Sequence, residues 1–164
     1  MPMNPINLQQ VARNISQSVQ LRLPARITSK LTFKDPDQIT KGGVKRWRAR
    51  ILPLRTNSIF NSSWCSFEVN VHDTGGGSVG FFCYTKNKRC GNGVHSEAVF
   101  NIISDFCKLF PSFESSDHDD SIQGVYLGYI AMSPTHSPAD DLANLIIVTL
   151  PQFESLLVTV NDHK

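Results

Sequence analysis

The residues of this chain best suited to chemistry are arginines. In the segment KRWRARIL, Arg46, Arg48 and Arg50 alternate with Trp47, Ala49 and Ile51. Alternation at period two sends successive side chains to opposite faces of a strand, so the three guanidiniums leave one face and Trp47 enters the core. Guanidiniums aligned in this way form charge-assisted hydrogen bonds to phosphate oxygens. Such contacts read no base sequence and weaken as salt rises. Arg22, Arg26, Lys30 and Lys45 precede the row, and Arg55, Lys86, Lys88 and Arg89 follow it. Together these residues are the candidate contacts for nucleic acid or an anionic surface. The alternative for the row is a solvated strand face balanced by Glu68 or another carboxylate on a neighbouring strand.

Other reactive groups lack the company their chemistry needs. His95-Ser96-Glu97 has the His-x-Glu order of zinc-dependent deaminases, but Cys107 is the only cysteine downstream, where that site needs two thiolates. Asp73-Thr74-Gly75 has the order found in aspartic proteases, without further matching sequence around it. The glycines of DTGGGSVG lead into a strand rather than the helix that a phosphate-cradling loop requires. Asp117, His118, Asp119 and Asp120 lack the spacing of a calcium loop, and Cys90 has basic neighbours but no evident histidine partner. The expectation is therefore a protein that is not an enzyme, with no catalytic residues, no metal, no cofactor and no small-molecule substrate.

Charge is distributed unevenly. Residues 1–93 hold fourteen Lys and Arg against four Asp and Glu, whereas residues 94–164 hold two against ten, within a net charge of +2. A basic surface for a polyanion, together with an acidic surface that docks on another copy, is the expectation. Strands from the two halves that interleave would cancel the asymmetry instead. Four cysteines without a CxxC pair fit reduced thiols, and no stretch approaches the roughly 20 apolar residues of a membrane span. The start MPMNPINLQQ lacks the pattern of a secretory signal, which makes the cytoplasm the expected location.

At 164 residues, with 40% apolar residues and ten Phe, one domain is expected. Residues 1–18 read as an N-terminal arm or short helix, with Ile6, Leu8, Val11 and Ile15 along one side, and residues 19–164 as a single α+β domain. Val19, Leu21 and Leu23 alternate as a strand, and Ile27, Leu31 and Phe33 suggest a second. Cys65, Phe67, Val69 and Val71 predict a half-buried strand that returns through residues 79–85 as a hairpin. Spacings of three and four from Val94 to Phe110 predict one long amphipathic helix, capped by Asn92 or Ser96 and stopped by Pro111. Residues 122–132 read as a strand, residues 139–144 as a short helical turn, and LIIVTL and LLVTV as two late strands separated by Pro151. The sum is a mostly antiparallel β-sheet with one long amphipathic helix packed on it.

The segments SFEVNVHD, SEAVFNIISDF and GVYLGYIAMSP, within residues 64–134, resemble rhabdovirus matrix proteins, the small plant-infecting members in particular. That resemblance implies an α+β domain that self-associates, condenses a helical ribonucleoprotein and links it to a membrane. The partners it implies are a homo-oligomer, ribonucleoprotein or RNA, and an anionic membrane surface. The chain departs from the family in having no lysine-rich N-terminus and no PPxY or P[ST]AP motif, since residues 134–137 read PTHS. A nucleic-acid-binding regulatory module and an uncharacterised enzyme are the alternatives.

Overall fold

In a computed structural model, residues 7–41, 43–53, 65–72, 76–83, 95–114, 125–131 and 137–162 are described. The elements run α1 (Leu8–Arg22), α2 (Ala25–Thr28), β1 (Leu31–Phe33), β2 (Asp37–Lys41), β3 (Val44–Pro53), β4 (Cys65–His72), β5 (Gly77–Cys83), α3 (Ser96–Leu109), β6 (Val125–Ala131) and α4 (Pro138–Asp162). All strand pairs are antiparallel. The order is β1-β3-β4-β5-β6, and β2 lies beside β1 along the same edge of β3. The α+β class is that expected from the sequence.

Alternation in β3 and β4 divides the sheet into two chemically different faces. Ala49, Ile51, Phe67, Val69, Val71, Val79 and Phe81 are buried on the side where α1 and α4 pack. Trp47 is partly buried against this core. Arg46, Arg48 and Arg50 occupy the opposite face. Strand β4 was expected to be half-buried, yet it is buried on both faces, which shows that the sheet is enclosed at its centre on the side away from the helices as well. Its polar residues Ser66, Glu68 and Asn70 are withdrawn from water with the rest.

Helix α1 overturns the strand expected over Val19–Leu23. Asn7 accepts a hydrogen bond from the Gln10 N–H at 3.1 Å, and Ala12, Ser16 and Val19 continue one buried helical stripe. Leu21, which made the alternation, is 84% exposed. The helix ends at Leu23, whose extended backbone suits the residue before Pro24. The second expected strand is reduced to Leu31–Phe33, because Ile27 is buried on the short helix α2. Strand β2 was not anticipated. It has Ile39 as its only large apolar residue and is held by backbone pairing to β3 through a turn where Gly43 adopts φ 79°.

The hairpin β4–β5 forms as expected, with Cys65 opposite Cys83 and Val71 opposite Gly77. Helix α3 also forms, but His95 caps it rather than Asn92 or Ser96, accepting the Glu97 N–H at 3.2 Å. The two late strands are instead parts of α4, the longest helix at 25 residues, so the expectation of one long helix becomes a layer of three major helices. Leu142, Leu145, Ile146, Thr149, Leu150 and Phe153 recur at spacings of three and four, all buried, while Pro151 points its ring to solvent. The buried Thr149 hydroxyl donates to the Leu145 carbonyl at 2.6 Å. Phe153 stacks on Phe81 at a centroid distance of 4.9 Å and lies 6.4 Å from Phe67, joining α4 to the hairpin. Replacing Phe153 with Ala should therefore cost about 3–5 kcal/mol in urea denaturation. A loss below about 1 kcal/mol would contradict this packing.

Candidate functional site: the arginine face of the sheet

Residues directly opposite in antiparallel strands share a face, so the register lays out the surface away from the helices. Asp37, Arg48, Asn70 and Ser78 form one row across β2 to β5. Ile39, Arg46 and His72 form a second, and Arg50, Glu68 and Gly80 a third. Along β3 the arginines follow one another at about 7 Å, the two-residue repeat of a strand.

Glu68, only 1% exposed, lies at the centre of this face. The Ser66 hydroxyl donates to its Oε2 at 2.7 Å and Asn70 Nδ2 donates to its Oε1 at 3.3 Å. Arg50 stands opposite it in register. Arg48 Nη2 donates to Asp37 Oδ2 at 3.0 Å. Thus Arg48 is paired with a carboxylate, much as in the balanced-face alternative, while Arg50 lies across from Glu68 in register without an ion pair to it. Arg46 differs in its cross-strand neighbours, Ile39 and His72, neither of which is a carboxylate. The Nε atoms of Arg46 and Arg50 and the Oδ1 of Asn70 are buried with no hydrogen-bond partner among the described residues.

Among the described residues, the other candidate cations do not join this face. Arg22 pairs with Asp140, and Lys30 with Glu154 at 3.6 Å, so both bind α4 on the helix side. Arg26 is exposed on α2, and Lys45 is exposed at the start of β3, where the alternation directs it away from the arginine row. Arg55, Lys86, Lys88 and Arg89 lie outside the described residues, as do Cys90, Asp73 to Gly75 and Asp117 to Asp120. The pairs Arg22–Asp140 and Lys30–Glu154 connect the basic half of the chain to the acidic half, using up part of the charge asymmetry internally.

The remaining reactive groups have structural partners. His95 uses Nδ1 to cap α3, and Glu97 is exposed in the first turn. Burial pushes the Cys107 thiol above its ordinary pKa, away from thiolate chemistry. Among the described residues, no three His, Cys, Asp or Glu side chains converge as ligands for a metal ion. A shallow cleft of about 130 Å³ between α1 and the β1–β2 connection is lined by Arg13, Gln17, Gln20, Lys34 and Asp35, with no nucleophile paired to a base. No helix among the described residues is long and apolar enough to cross a membrane. No protein-family model, curated protein or solved structure matches the chain.

The arginine row was visible from alternation alone. The enclosure of Glu68 was not, because alternation says which face a side chain takes and nothing of how deeply that face is covered. The available signal was Ser66, Glu68 and Asn70 alternating with apolar residues on the strand that follows the row. Removing the carboxylate leaves the Ser66 and Asn70 donors without an acceptor and Arg50 without its opposite charge. Glu68→Ala should accordingly destabilise the protein by about 3 kcal/mol in urea denaturation, and Glu68→Gln by less. Equal effects below about 1 kcal/mol would show that the carboxylate organises nothing.

Proposed function

We propose that this protein is a non-enzymatic, matrix-like assembly component that binds a polyanion, a ribonucleoprotein or an anionic membrane surface, through the arginine face of its sheet and acts as a homo-oligomer. The observation that carries the reading is Arg46. It projects from a face covered by none of the described helices, between Ile39 and His72, with no carboxylate opposite it in register. Arg48 lies on the same face, held by Asp37, which restricts its motion and so reduces the ordering entropy lost when a phosphate binds, and Arg50 follows it along β3. Such a row tracks a phosphate backbone without reading bases.

The internal pairs Arg22–Asp140 and Lys30–Glu154 favour a second reading, in which a monomer or dimer binds nucleic acid as a regulatory module. Charge spent within the chain is not available for head-to-tail contact between copies.

The test compares the wild type with Arg46→Gln for binding to a short unstructured RNA and to phosphatidylserine vesicles over a salt series. Arg50 is kept so that Glu68 retains its opposite charge, and Arg13→Gln on α1 is the control. Arg46→Gln is expected to weaken polyanion binding by about tenfold at low salt and to flatten the salt slope by about one. Thermal stability and the control should be unchanged. Equal binding by all three proteins would contradict the assignment of this face.

A further inference from the structure

Cys65 and Cys83 lie directly opposite each other on β4 and β5, with the Cys65 thiol donating to the Cys83 sulfur at 3.5 Å. Both face the core, at 1% and 0% exposure. Directly paired antiparallel residues have Cα atoms about 4.5–5.5 Å apart, within the span a disulfide bridges, and closure requires the sulfurs to approach by about 1.5 Å. Cys65 is the first residue of β4 and Cys83 the last of β5, so the pair sits at the hairpin end away from the turn. Strand ends are where a ladder opens locally, and such opening admits a small oxidant to otherwise buried sulfurs. Proximity then makes the second step intramolecular.

We infer that Cys65 and Cys83 form a redox-modification site, present as thiols under reducing conditions and closed to a cross-strand disulfide by a peroxide. One thiolate attacks hydrogen peroxide, breaking the O–O bond to give a sulfenic acid and a hydroxide that takes the released proton. The second thiolate then attacks the sulfenyl sulfur, the S–S bond forms, and the hydroxyl leaves as water with the second proton. Two thiols lose two electrons and one peroxide becomes two waters. The bridge clamps the β4–β5 hairpin end without altering its register. It depends on neither the arginine face nor any polyanion.

Trypsin separates the relevant cysteines cleanly. Residues 56–86 contain only Cys65 and Cys83, and residues 90–108 only Cys90 and Cys107. Reduced native protein is exposed to a modest excess of hydrogen peroxide, unfolded in iodoacetamide, digested and weighed. The expected result is a 56–86 peptide lighter by two hydrogens, resistant to alkylation and restored by dithiothreitol, with both properties lost in Cys65→Ser. Two outcomes would overturn the inference. One is full alkylation of peptide 56–86 at a peroxide dose that oxidises the same pair in the unfolded chain. The other is a cross-link between peptides 56–86 and 90–108.

Discussion

A carboxylate withdrawn from water in the middle of a sheet must be compensated, and much of this structure follows from that constraint. Glu68 is almost fully buried, and burial of an unmatched charge costs several kcal/mol. Ser66 and Asn70, two residues away on either side, donate to its two oxygens, and the adjacent strand places Arg50 opposite. The same alternation that sends these polar groups to one face sends Phe67, Val69 and Val71 to the other. A single register between β3 and β4 thereby sets both the hydrophobic core and the charged surface. A slip of one residue would exchange them.

The helices complete the core on one side only. Helix α4 reaches from the charged contacts at Asp140 to Phe153, which stacks on Phe81 between the hairpin and the helix layer. Its pairs with Arg22 and Lys30 are surface contacts of modest strength, but they determine where opposite charges lie. The basic first half of the chain is not one patch. Part of it faces α4 and part emerges from the far side of the sheet, where the described residues form a short row of arginines.

The elements legible in the sequence were those with one unambiguous period. The β4–β5 hairpin, α3 and the Arg46–Arg50 alternation each had a single reading, and each formed. Helix α4 did not have one: LIIVTL is rich in β-branched residues and Pro151 follows it, both locally strand-like or helix-breaking. Only the spacing of Leu142, Leu145, Thr149 and Phe153 against the core decides for helix. Val19–Leu23 alternated by coincidence, since exposed Leu21 supplied the odd position. Strand β2 has too little apolar pattern to be seen, because it is made by its partner's backbone. For the site, the projection of the arginines was local information. Which carboxylates face them was not, since that depends on strand order and on the pairing of Asp37 with β3.

The proposal that a polyanion binds the arginine face of the sheet is tested by amide NMR of the isotope-labelled protein titrated with a short unstructured RNA. Shift changes are expected to concentrate on β3 and β4 around Arg46, Arg48 and His72 and to shrink as salt is raised. Changes concentrated instead on α1 and α2 around Arg22, Arg26 and Lys30, or no changes at low salt, would contradict it.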